Sequence, residues 1–293
     1  MKAVRQVVAV AVMVAGCASI AVAEGPNADV IAKITGLQPE VKNGIATVRV
    51  PRSDISVVVD GVTMTPFQGL TSWAAFEQAG DKTMVMGDLT LTEDQVNPTM
   101  SAALDNGLEV TALHNHFFYD RPRVFFMHIG GMGTIEQLAT GVAKALAAAK
   151  GASGSPAEGF GGAAIPAPSA IDAQPLEAIF GQPGQTKDGM VKFVFGKTTS
   201  MHGAEAGAGM GVNTWAAFAG SPKAAVVDGD FAMLEDELQG VLKSLRHANV
   251  NIVAIHNHMT HEQPRILFLH FWAKGPADEL ARKIKAALDT QAK

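Results

Sequence analysis

Two His-Asn-His tripeptides, His114-Asn115-His116 and His256-Asn257-His258, sit at the ends of short β-branched, apolar runs. Such runs read as strands, where residues i and i+2 project from one face. Each tripeptide therefore presents two imidazoles together. Two imidazoles on one strand plus a ligand from its neighbour is a common way to hold zinc or a related divalent metal; carbonic anhydrase is an analogy of construction, not of descent. His128 and His270 on the next strand, His261, Asp120 and Glu262 in the loop, and more distantly Asp88 and Asp230, are the candidates for completing the site.

Loop length limits the choice. If the 117–122 loop closes six residues, His116 pairs with Arg123 and His114 with Phe125, and His128 faces the other side of the sheet. One residue more or fewer returns it to the shared face, several residues down the strand. His128 and, by the same count, His270 are thus weaker ligands than the His-x-His pairs. The expected cluster is His256, His258 and an acid or histidine from 261–262. Glu262 is the candidate general base, with Asp120 its equivalent. Arg123 and Arg265, each following a proline, could hold a ligand carboxylate or phosphate, or pair with Asp120 or Glu262. The alternatives for the histidines are a hydrogen-bonded structural network or pH sensing.

The motif is duplicated together with its surroundings. At an offset of 142, Thr71–His128 aligns without a gap to Asn213–His270, with 17 identities in 58 positions, too many for chance. They include Trp73-Ala74-Ala75-Phe76 with Trp215-Ala216-Ala217-Phe218, Gly87-Asp88 with Gly229-Asp230, and Pro122-Arg123 with Pro264-Arg265.

The elements that must carry the histidines follow from pattern. A helix with Val30, Ile31 and Ile34 on one face ends near Gly36. Ala46–Val50 and Ile55–Val59 are strands. Trp73–Phe76 and Met84–Leu91 form a hairpin around Gly80-Asp81. Thr92-Glu93-Asp94-Gln95 is a capping box opening a helix to about Asp105. Glu109–His116 and Arg123–Gly130 are strands, and Thr134–Lys150 is an Ala-rich helix. Residues 151–173, rich in Gly, Ala, Ser and Pro, form a flexible linker. The second half repeats the order, with helices at Glu235–Ala248 and Asp278–Leu288 and strands at Val191–Phe195, Asn251–His258 and Arg265–Trp272. Each half (24–150 and 174–293) is an α+β unit, an antiparallel sheet backed by helices, with an inner part close to ferredoxin-like. The halves are expected to be related by a pseudo-twofold axis. Both faces of the hairpin strands carry apolar residues, so the face without helices should meet the other repeat.

Other features are discounted. Gly203–Gly211 lacks the Gly-Lys-Ser/Thr ending of a phosphate loop and is a mobile loop. Glu93-Asp94 and Glu235-Asp236 cap helices, and Trp73 and Trp215 are core. No serine has a nucleophile-elbow context. The contiguous His-Asn-His is not the HNH nuclease motif, whose residues are spread over a longer fold.

Composition bounds the rest. A chain of 293 residues with 47% hydrophobic and 17% charged residues is an ordered globular protein, with length for about two domains. Residues 1–23 read as a targeting segment: Lys2 and Arg5, an apolar stretch from Val7 to Gly16, then Ala21-Val22-Ala23 for ordinary cleavage or Val14-Ala15-Gly16-Cys17 as a lipobox. Export is expected, to the periplasm or cell envelope. Soluble protein is favoured over lipid-anchored, and membrane contact comes only through a lipid on Cys17. Cys17 is the sole cysteine, which excludes intrachain disulfides and thiol chemistry in the folded part. The remaining chain has 21 basic and 28 acidic residues, a net of −7, and no nucleic-acid partner is expected.

The strings Val-Thr-Ala-Leu-His-Asn-His and Pro-Arg-Val-Phe-Phe-Met-His, with a second copy ending Leu-His-Phe-Trp-Ala, resemble the LppY/LpqO family of bacterial exported proteins and lipoproteins. The resemblance spans roughly 28–290 and implies an envelope location and a domain of unknown function. Phe117-Phe118-Tyr119-Asp120-Arg121 departs from the Met-x-His-Glu-x of the second copy, so the second half is expected to be the intact one. The chemistry the residues favour is binding of a divalent metal, zinc first and copper second, with metal-assisted hydrolysis of a small ligand. The rivals are a non-enzymatic ligand-binding module and a structural envelope protein.

Overall fold

The structure is a computed structural model and describes residues 25–152 and 159–291. The expected targeting segment and Cys17 lie outside the described residues.

The first half runs α1 (Ala28–Thr35), β1 (Glu40–Lys42), β2 (Ile45–Pro51), β3 (Val58–Val59), β4 (Val62–Thr63), β5 (Thr71–Ala79) and β6 (Lys82–Thr92). It continues with α2 (Glu93–Asp105), β7 (Glu109–His114), β8 (Asp120–Arg121), β9 (Val124–Gly133) and α3 (Ile135–Ala152). The second half runs α4 (Ala173–Phe180), β10 (Gln185–Lys187), β11 (Met190–Gly196), β12 (Thr199–Met201), β13 (Ala204–Ala206), β14 (Asn213–Gly220) and β15 (Ala225–Leu234). It ends with α5 (Leu238–His247), β16 (Asn251–His256), β17 (Ile266–Gly275) and α6 (Ala277–Leu288).

Local chemistry explains the ends of these elements. Asn27 caps α1 by accepting from the Asp29 and Val30 N–H groups, and Gly36 ends it at φ 70°. The capping box at Thr92 opens α2, where Thr92 N–H donates to Gln95 Oε1 at 3.0 Å. Gly80-Asp81 closes the β5–β6 hairpin between Ala79 and Lys82, with Gly80 at φ 65°.

All twelve long and edge strands join one antiparallel sheet, ordered β1-β2-β5-β6-β9-β7-β16-β17-β15-β14-β11-β10. The second half is the first in reverse order, and β9 is inserted between β6 and β7, which α2 connects. One face is covered by the helices. Leu89, Leu113, Met127 and Ile129 point into it beside Val142 of α3, as do Ile255, Leu269 and Phe271 beside Ile284 of α6. The two hairpins lie side by side, but the expected cover of the second face by the other repeat is overturned: the halves meet edge to edge through β7 and β16. The paired residues there, Leu113 and Ile255, are repeat equivalents at the 142 offset. Short lobes cover the upper end of the second face instead. Val57 and Leu70 pack on Val124 and Phe126, and Ala206 and Val212 pack on Ile266 and Phe268.

The seam is locked by reciprocal side-chain amides. Asn97 on α2 accepts from Ile252 N–H at 2.8 Å and donates to Ile252 O at 3.2 Å. Its repeat equivalent, Gln239 on α5, accepts from Val110 N–H at 3.1 Å and donates to Val110 O at 2.9 Å. Both clamped residues stand just before a β-bulge, at Thr111 and Val253, where backbone groups would otherwise lack partners.

Residues 203–211 hold β13 and a 3-10 turn at Ala208–Met210. The described part of the linker is docked on the second half: Ala170 N–H donates to Gly220 O at 2.7 Å, and Ser169 Oγ accepts from Gly220 N–H at 3.0 Å. Helix α5 begins at Leu238, so Glu235 and Asp236 precede it.

Candidate functional site

The bulges decide which residues meet. Below Thr111 the register is the one loop length predicts, with Val110 opposite Ile129. The extra residue at the bulge shifts it, so that Ala112 opposes His128 and His114 opposes Phe126. Directly opposed residues share a face. His128 therefore joins His114, two residues along, and of the two cases left open by loop length the shared-face one holds. In the second half Ala254 opposes His270 and His256 opposes Phe268, with the same result. The next strand out supplies an acid: Asp88 opposes His128, and Asp230 opposes His270.

In the second half Asp230, His256 and His258 each offer a donor atom, all within 4.8 Å of one another. His258 Nε2 is 3.2 Å from Asp230 Oδ2, and His256 Nε2 is 3.9 Å from Asp230 Oδ1. The His258 ring stacks on Phe268 with centroids 3.5 Å apart, and the His256 ring stacks on His270 at 4.8 Å. His270 Nδ1 lies 3.2 Å from Gly229 O; with the proton on Nδ1, this contact leaves its Nε2 lone pair unspent. Asp230 is 2% exposed. Asp230 Oδ1 and His256 Nε2 are buried and lack hydrogen-bond partners in the structure.

Glycine makes this placement possible. A Cβ on Gly229 would stand 2.3 Å from Trp215 O and from the Phe271 ring. Only glycine lets β15 pass there, and Asp230 follows on the opposite face. Gly87 before Asp88 is similarly tight, 2.7 Å from Trp73 O.

Electrostatically, every shifted group of the triad leans toward its uncharged form. Burial pushes Asp230 up to about 6, with Asp228 adding repulsion against the pull of His270. Burial holds His256 and His258 below the usual imidazole value, and His270 pushes in the same direction. Neutral imidazoles are metal-ready, whereas the buried carboxylate lacks a compensating cation.

The first half is a looser copy. His114 Nε2 and His128 Nε2 are 3.0 Å apart. The His116 ring lies 5.2 Å from His114 and stacks on Phe126 at 3.3 Å. Asp88 Oδ1 is buried without a partner, and burial raises that carboxyl.

The loop residues do not join either cluster. Glu262 is 2% exposed, and its Oε1 accepts from Ile266 N–H at 3.3 Å. Asp120 does the equivalent, its Oδ2 accepting from Val124 N–H at 2.8 Å. Both carboxylates brace the turn before the next strand, so the expectation of Glu262 as the acid of the cluster is overturned in favour of Asp230. His261, at φ 68°, is tilted toward His202 with ring centroids 6.2 Å apart. Arg265 Nε is 4.0 Å from Glu262 Oε1. Arg123 lines a cleft of about 980 Å³ at the seam, together with Trp215, Asp228, His270 and Trp272. The signal for Asp230 was in the sequence, as the repeated Gly-Asp. Its strand neighbours were not.

No curated protein matches the chain. Two solved structures match the chain weakly: the ethanolamine utilization protein EutL from Leptotrichia buccalis C-1013-b and the trimeric bacterial microcompartment shell protein PduB. The first has 11% identity, TM-score 0.21, and covers 70% of this chain and 80% of its own. The second has 11% identity, TM-score 0.20, and covers 85% and 87%. The family described as Domain of Unknown Function (DUF1259) matches residues 29–148 and again 174–290. The chain belongs to that family and carries its domain in two tandem copies.

Proposed function

We propose that the protein binds a divalent transition metal through Asp230, His256 and His258, zinc first and copper second. One observation carries this reading: three donors of the right chemistry lie within 4.8 Å of one another, and two of their atoms are buried with no partner. Donors sharing one ion at bonds of about 2 Å lie about 3–4 Å apart, which the 3.2 and 3.9 Å separations match. Imidazole with carboxylate suits zinc and copper better than calcium or magnesium. Three protein ligands leave a position open, as hydrolytic sites require.

An ion there would supply Lewis acidity to an ester, amide or phosphoryl oxygen. The seam cleft is lined by His270, whose ring stacks on His256, and not by the three donors themselves; it offers room for a small substrate, with Arg123 for an anionic group and Trp215 and Trp272 for an apolar one. The second reading is that the same cleft binds such a ligand without turning it over. It is favoured by the loss of Glu262 as a base. We also propose that the halves are ferredoxin-like relatives about a pseudo-twofold axis through Leu113 and Ile255. The chain is proposed to be exported like its LppY/LpqO look-alikes, without a nucleic-acid partner.

The test is metal analysis of tag-free protein, followed by a panel of ester, amide and phosphate substrates. Wild type should carry zinc or copper, and His258→Ala should lose one equivalent. Metal retained unchanged in both His258→Ala and Asp230→Asn would end the metal reading. Binding without turnover would select the second.

A further inference from the structure

We infer that the first half holds a second, separate metal ion through Asp88, His114 and His128, with His116 as the fourth donor available. The inference rests on the metal reading above only for the class of ligand; the residues are different ones. His114 Nε2 and His128 Nε2 approach to 3.0 Å, a distance that two imidazole nitrogens reach only by sharing a proton or a cation. Asp88 is directly opposite His128 in the β6–β9 ladder, on the same face, and its Oδ1 is buried with no partner. That is the relation Asp230 has to His270. Unlike Asp230, His256 and His258, these three donors do not already lie within 4.8 Å of one another, so the first-half ion is the more weakly held.

The sheet also fixes the relation between the two ions. The first cluster is centred on β9 and the second on β17, with β7 and β16 between them. Three inter-strand gaps of about 4.8 Å place these centres about 14 Å apart on one face. Paired-metal enzymes need about 3.5–4 Å. The protein is therefore a carrier of two mononuclear sites and not of one dinuclear centre. Between β9 and β17 that face carries Ala112 opposite His128 and Ala254 opposite His270, with His114 and His256 two residues along.

Loops tune the two sites differently. In the first half the His116 ring stacks on Phe126 and meets Phe117 edge-on at 5.9 Å. In the second half Met259 stands at the position of Phe117. Both halves stack the second histidine of the motif on a phenylalanine, His116 on Phe126 and His258 on Phe268, so the edge contact with Phe117 is what sets His116 apart.

The experiment is equilibrium dialysis of full-length, tag-free protein against zinc, with copper-loaded protein examined by pulsed EPR for the copper–copper distance. Wild type should take up two ions, and the copper pair should lie between 1 and 2 nm, about the three-strand spacing. Asp88→Asn/His128→Gln should keep one ion, the tighter, and Asp230→Asn/His256→Gln should keep one, the weaker. One ion in wild type, lost only in the Asp230 pair, overturns the inference and leaves the proposed function standing. One ion lost only in the Asp88 pair does the reverse, and no ion at all removes both. Two ions at about 0.4 nm overturn the separate-site geometry. Stoichiometry and spacing are read on wild type, so an unfolded variant leaves the answer intact.

Discussion

Replacing Asp230 by Asn should make the metal-free protein more stable at pH 8 while abolishing stabilisation by metal at this site. The side chain is 2% exposed, and its carboxyl rises from 3.8 to about 6, chiefly through burial. A raised acid holds its proton more tightly folded than unfolded. The folded state is therefore penalised once pH exceeds about 6, and the penalty vanishes as pH falls below 3.8. About two units at about 1.4 kcal/mol each amount to roughly 3 kcal/mol above pH 6. Asn keeps the shape and removes the charge. For a chain this long, roughly 3 kcal/mol is a rise in Tm of about 6–12 °C at pH 8, fading toward pH 4. Zinc at about 100 times its Kd should stabilise wild type by roughly 2.7 kcal/mol, and the variant should gain nothing at this site. Calorimetry on chelator-treated protein at pH 4.5, 6 and 8, with and without zinc, reads both effects. If Asp230→Asn melts lower than wild type at pH 8 without metal, Asp230 is a structural partner of His258 and the reasoning fails.

Metal affinity should be level above pH 7 and fall about tenfold per unit below pH 6, as Asp230 takes up its proton; His256 and His258, held below 6.5, stay neutral longer. Dialysis at pH 5, 6 and 7 checks this, and a midpoint above pH 7 would contradict it. Asn97→Ala and Gln239→Ala should each lower stability by about 1–3 kcal/mol, because each strands a backbone N–H and C=O at the seam. Urea midpoints unchanged in both variants would show that the clamps contribute nothing. Gly229→Ala must push Phe271 and β14 apart, since its Cβ would lie 2.3 Å from both, and should cost about 1–3 kcal/mol or more. An unchanged Tm would refute the close-approach argument.

The sequence determined what depends on local pattern and on repetition. The duplication, the hairpin at Gly80-Asp81, the capping box at Thr92 and the face of α1 ending at Gly36 are written in neighbouring residues, and the structure places them there. Strand parity led to the pairing of His114 with His116, and of His256 with His258; their rings do lie 5.2 and 5.1 Å apart, but β7 and β16 end at His114 and His256, so the second histidine of each pair is placed by the turn beyond the strand. What it left undecided depends on non-local register. One bulged residue, Thr111 or Val253, turns His128 or His270 onto the histidine face, and nothing in the hairpin sequence announces it, because the bulge is stabilised by an amide 129 or 155 residues away. The acid of the site was misassigned for the same reason. Glu262 is near in sequence, but its loop spends it on the Ile266 N–H. Asp230 is remote in sequence and is brought to His256 and His258 by the order β15-β17-β16. The edge-to-edge union of the halves was likewise a tertiary decision. The apolar second face needed cover, and whether a lobe or a partner sheet supplied it turned on residues 52–70 and 197–212 folding back, a long-range packing outcome that strand periodicity cannot encode.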